Sequence, residues 1–188
     1  MSALAQITVG LAGAVRLAKL DTSGFDYFED TTDAFWRSFL AAWVVAPLFV
    51  LYLIVGYLST DHVDSFAHYL IIELLAYAIA WLAFPLVMLN LARPLDREDR
   101  VVRYLVAFNW ISVVQNAVYM PIVILGITGA LGDGLANMMA LVVFLWVLGL
   151  TFFVTRKALE LPAATTAGIV VMDLLLGVLI ETVTNRVA

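Results

Sequence analysis

The chain has 188 residues, 64% of them hydrophobic and 13% charged, with a formal net charge of −5. Soluble domains run near ~45–50% apolar and ~25% charged, and a water-soluble chain this short cannot hide such an excess of apolar surface. Lipid is the solvent this composition fits, and the length allows one compact domain.

Residues 1–30 read as a cytoplasmic amphipathic segment ahead of a transmembrane domain at 31–188. Leu4, Ile7, Leu11 and Val15 recur at spacings of three and four, one face of a helix. Arg16 and Lys19 lie near its end. The segment is too short to span, and no basic residue precedes its apolar stretch, so it does not read as a signal peptide. It is expected as a helix lying on the membrane surface, separate from the bundle. After it, Phe25-Asp26-Tyr27-Phe28-Glu29-Asp30 offers aromatics suited to the headgroup region. Asp30 is the expected cap of the first span, with Asp33 favoured by the helix dipole.

A membrane-spanning helix needs about 20 mostly apolar residues. Five stretches qualify, at about 35–59, 65–91, 101–125, 135–154 and 163–183. Turn signals separate them: Ser59-Thr60-Asp61, Arg93-Pro94-Leu95-Asp96, the glycine-rich run Gly126 to Gly134, and Leu161-Pro162. Nine of the ten basic residues fall before the first span or in the second and fourth loops. Cytoplasmic loops carry the Lys/Arg excess, so the N-terminus is expected inside and the C-terminus outside. The fold class is therefore all-α, a polytopic five-helix membrane bundle with an N-terminal amphipathic interfacial helix.

Polar side chains inside a bilayer are costly unless paired, which makes them informative. The second span has Tyr69, Glu73, Tyr77 and Trp81 at steps of four. The third has Asn109, Ser112, Asn116 and Tyr119 at steps of three and four, with Gln115 beside them. The fifth has Thr166, Asp173, Gly177 and Glu181. Such steps put side chains on one helix face. The second, third and fifth helices are thus expected to pack together at the centre, with the mostly apolar first and fourth facing lipid. Glu73, Asp173, Asn116, Gln115, Asn109 and Tyr77 form the candidate buried polar site. No Lys or Arg lies in the interior of any span to pair with either acid, so one or both are expected protonated and hydrogen-bonded to the amides or a tyrosine. Two readings stay open: interhelical hydrogen bonds that hold the bundle together, or a site for a proton or small cation.

Other features read plainly. His62 and His68 are too few for a metal cluster, and His68 reads as an interfacial histidine rather than a proton relay. The chain has no cysteine, so disulfides and thiol chemistry are excluded. Pro47, Pro85 and Pro121 each fall within a span as packing kinks. The run Gly126 to Gly134 lacks the Gly-Lys-Ser/Thr ending of a phosphate loop. Serine-nucleophile, metalloprotease and kinase motifs are absent. No catalytic residue, metal, cofactor or nucleic acid is expected.

The entry Asp33-Ala34-Phe35-Trp36-Arg37-Ser38-Phe39, with five closely spaced spans behind a cytoplasmic segment, resembles the bacterial Yip-family membrane proteins. The resemblance runs from about Phe25 to the C-terminus. The string is also similar to five-span inner-membrane proteins of alphaproteobacteria. The resemblance implies the architecture and no functional residue. The expected role is non-enzymatic: a bacterial inner-membrane protein acting through helix contacts, among lipids, as a homo-oligomer or as an accessory subunit of a larger complex. The alternatives are a proton- or cation-coupled transporter or channel, and a membrane enzyme using the loop Arg93–Arg103.

Overall fold

A computed structural model describes residues 2–59 and 65–187, the side chain of Asp133 excepted. The expected turn residues Thr60 and Asp61, and His62, lie outside the described residues. Every regular element among those described is helical: α1 (Ala3–Ala18), a 3-10 helix (Thr22–Tyr27), α2 (Thr32–Ser38), α3 (Leu40–Leu58), α4 (Phe66–Ala92), α5 (Glu98–Ile127), α6 (Asp133–Leu159) and α7 (Ala163–Val187). Among the described residues five helical spans are long and apolar enough to cross a membrane, α2 running into α3 as the first. The chain is a helical, multi-pass membrane protein, with the five spans close to where the sequence puts them.

Local chemistry sets the ends. Thr31, rather than Asp30, caps α2, its side chain accepting from Ala34 N–H. Asp33 sits in the first turn as expected and pairs with Arg37 one turn on. Ser65 caps α4. Glu160 stops α6 in the left-handed region at φ 48°, and Pro162 follows it. Pro47, Pro85 and Pro121 all lie inside helices, as the sequence suggests.

The packing corrects the expected centre. The organising helix is α5, the third span, and its main partners are α6, α3 and α1. The second and fifth spans, α4 and α7, pack mainly on each other. The fourth span is therefore a core helix: Leu150, Thr151, Val154, Thr155 and Leu159 are all buried. Its expected lipid-facing position follows from scoring strong polarity alone, which passes over Thr151 and Thr155, one turn apart on the face that meets α5.

The N-terminal helix forms as predicted, but its buried face is rotated from the expected stripe, of which Ile7 and Leu11 still pack against the core. Its buried residues are Gly10, Gly13, Ala14 and Leu17, whereas Leu4 and Val15 are exposed. The small residues win because they allow close approach: a Cβ on Gly10 would overlap the Trp110 ring at Cε2 and Cδ2. Arg103 fastens the same region, donating from Nε and Nη2 to the Phe25 carbonyl at 3.1 and 2.8 Å. The segment is thus docked on α5 and is not separate from the bundle.

Burial is concentrated at one end. Buried positions cluster in the first half of α5 (Val101 to Gln115), the last part of α6 (Leu150 to Leu159), the end of α4 (Phe84 to Ala92) and the start of α7 (Thr166 to Val170). These halves meet at the end carrying the α4–α5 and α6–α7 loops. Towards the other end α5, α6 and α7 are largely exposed, so the bundle is closed at one end and looser at the other.

Candidate functional site

Above the closed end the helices line an open cavity of about 310 Å³. All five spans contribute. Phe49 comes from α3; Tyr77, Trp81 and Pro85 from α4; Asn109, Ser112, Gln115 and Asn116 from α5; Val147 and Thr151 from α6; and Asp173 from α7. Five of the six residues singled out from sequence therefore meet here: Asp173, Asn116, Gln115, Asn109 and Tyr77. Glu73 does not line the cavity. It is partly buried one turn from Tyr77 on α4.

The polar stripes face this cavity instead of interlocking across a dry seam. The cavity separates α5 from α7, which barely meet. The amide groups bond to their own or neighbouring elements. Asn109 Nδ2 donates to Ser38 Oγ at 2.8 Å, and Ser38 passes its own proton to the Phe35 carbonyl at 2.7 Å. Gln115 Nε2 donates to Thr151 Oγ1 at 3.1 Å and to the Val147 carbonyl at 3.4 Å. Asn116 Nδ2 donates to the Ser112 carbonyl at 2.7 Å. Tyr77 donates to the Ala42 carbonyl on α3 at 2.7 Å. The expected bonds from the amides or a tyrosine to Asp173 and Glu73 do not form: among the described residues no hydrogen bond or ion pair to either carboxyl is seen.

No buried side-chain polar atom lacks a partner among the described residues. The acceptors left over are therefore those with access to open space, the Asp173 carboxyl among them. Pro85 adds to them, because its missing N–H leaves the carbonyl four residues earlier, that of Trp81, without its helical donor. The walls are aromatic. Phe49 stacks on Tyr77 with centroids 4.4 Å apart, Trp81 meets Tyr77 edge-on at 6.0 Å, and Phe108 stacks on Phe84 at 4.3 Å. The floor is sealed by Asn109–Ser38 and by the buried pair Tyr104 OH and Thr155 Oγ1, 3.0 Å apart.

Elsewhere the sequence singled out less. Glu181 and Gly177 are exposed and turn away from the buried side of α7, whose outer polar anchor is Thr184, donating to the Ile180 carbonyl. No group of three or more potential metal ligands occurs among the described residues. At the α4–α5 loop, Arg100 bridges to Glu160 at 2.5 Å, and Arg97 Nε donates to the Leu159 carbonyl at 2.7 Å. These charges tie two loops together at the surface. Sequence reasoning missed Thr151, Ser38 and Phe49; only the threonine pair at 151 and 155 carried a signal, a helical step.

Comparison with protein-family models, with curated proteins and with solved structures gave no match for this chain.

Proposed function

We propose that this membrane-spanning chain binds a small cation within its bundle and carries it across a bacterial inner membrane, with the N-terminus inside and the C-terminus outside. One observation carries the reading: Asp173 opens on a cavity shared by all five spans and has no cationic or hydrogen-bonding protein partner among the described residues. A carboxyl held at mid-bundle with no protein partner is costly, and intramembrane acids of this kind mark ion and substrate paths. No basic side chain lines the cavity. The lysine and arginine distribution supports a cytoplasmic closed end, with the looser half opening outward.

A role through helix contacts alone, as a self-associating or accessory subunit, draws support from a different feature. An apolar groove of about 270 Å³ runs between α4 and α7, lined by Ile72, Ile79, Leu179 and Val183 among others. It would accept acyl chains or a neighbouring helix, but it shares no residue with the polar cavity. Uptake of labelled cations into vesicles containing the purified protein tests the proposal. Uptake above empty vesicles that Asp173→Asn abolishes supports it; equal uptake with and without the aspartate overturns it.

A further inference from the structure

We propose that the cation is an organic ammonium, a protonated or quaternary amine without a carboxylate of its own, held with its charge at Asp173 and its carbon body among Phe49, Tyr77, Trp81 and Phe108. The inference rests on the cation-binding reading above and narrows it.

Size argues first. A bare inorganic cation is held by a close shell of six to eight oxygens at about 2.0–2.6 Å, whereas about 310 Å³ is the volume of a small-molecule pocket. The lining argues next. Aromatic faces attract a desolvated cation within about 6 Å of the ring centroid and give nothing comparable to a neutral polar solute. Four aromatic side chains from three helices line the same cavity as one carboxyl.

The amides argue third. Asn109 and Asn116 each commit one of their two N–H groups to a protein acceptor and Gln115 meets two acceptors, so all three amide oxygens remain for a ligand. The cavity thus sets three neutral amide oxygens beside one carboxyl and holds no charged donor, which suits the N–H and C–H edges of an ammonium ion. The same balance rejects a zwitterion, because no basic group lines the cavity to meet a carboxylate.

The test uses the full chain in lipid nanodiscs with radiolabelled tetraethylammonium as probe, competed by choline, by glycine betaine and by sodium chloride. We expect saturable binding displaced by choline but not by glycine betaine or by equimolar sodium. Asp173→Asn should weaken it at least tenfold. Trp81→Leu should weaken it about three- to thirtyfold, while Trp81→Phe, which keeps a ring in place, should keep most of the affinity. A thermal melt of each variant shows that it is folded. Binding left unchanged by Asp173→Asn or by Trp81→Leu overturns the inference. Sodium uptake that depends on Asp173, without tetraethylammonium binding, also overturns it and leaves the cation-carrier reading standing. Absence of both removes the two together.

Discussion

Asn109 and Ser38 are 71 residues apart in sequence, yet the Asn109 amide donates to the Ser38 hydroxyl at 2.8 Å in a fully packed setting. The bond joins the organising helix to the short helix that leads into the first span, directly beneath the cavity. A buried hydrogen bond contributes about 1 kcal/mol net, and orphaning one partner costs more. Asn109→Ala removes the donor but leaves the Ser38 hydroxyl still bonded to the Phe35 carbonyl. We expect a loss of about 1–2 kcal/mol, read as a lower melting point in detergent. Ser38→Ala leaves the Asn109 amide unpaired and should cost at least as much, and the double variant should cost less than the two losses added. Strict additivity would show that the bond is not formed.

Gly10 is tested by its smallest replacement. A methyl group there would fall inside the Trp110 ring, so Gly10→Ala should lift α1 from α5 and expose the N-terminal segment to protease. Trp110→Phe, with a smaller ring, should restore part of the protection. Undiminished protection in Gly10→Ala would mean that α1 does not rest on Trp110.

The N-terminal cap should loosen in acid. Asp21 accepts from the Ser23 hydroxyl and backbone N–H, with Arg16 nearby, and these hold its carboxyl below the ordinary 3.8. A carboxyl lowered by folding stabilises the fold fully above its unfolded value, and that contribution is lost as pH falls through the lowered folded value. Protease protection of residues 2–28 should therefore decline below about pH 4, and Asp21→Asn should flatten that decline. An unaltered acid profile in the variant would assign the effect to other groups.

At the α4–α5 loop, Arg97 holds the end of α6 through the Leu159 carbonyl, a helix-terminal acceptor that otherwise turns to water. Arg97→Ala should cost about 1 kcal/mol. Arg100→Ala breaks a more exposed ion pair with Glu160 and should cost less, within about 0–1 kcal/mol. The reverse order in thermal melts would contradict the assignment.

The spans were legible because a lipid-facing helix must carry an apolar run, and a small water-soluble core has little use for runs of that length. The polar stripes on α4 and α5 were legible for the related reason that intramembrane polarity is scarce. Tyr77, Asn109, Gln115, Asn116 and Asp173 do converge, as their spacing suggests. What periodicity could not convey was the space between them. It predicted contact between the third and fifth helices, where the molecule keeps a gap. Nor could it rank α6, because Leu150 and Val154 look alike whether they meet lipid or α5. The N-terminal helix misled for another reason: Leu4 and Val15 are exposed while Leu17 is buried, and close fit at Gly10 outweighs the apolar area of Leu4 or Val15. Glu73 shared its stripe with Tyr77 but lies nearer the open end, since helical spacing gives direction without depth.

The gap between α5 and α7 bears on heat resistance as much as on selectivity. A molecule seated there would bridge two stretches of chain that otherwise lack a mutual embrace, acting like the last stone of an arch. Occupancy favours the assembled form in proportion to the logarithm of ligand concentration. Protein saturated with a solute that seats there should thus outlast empty protein on warming, so that a screen of candidate solutes by melting point alone would test which of them the gap holds.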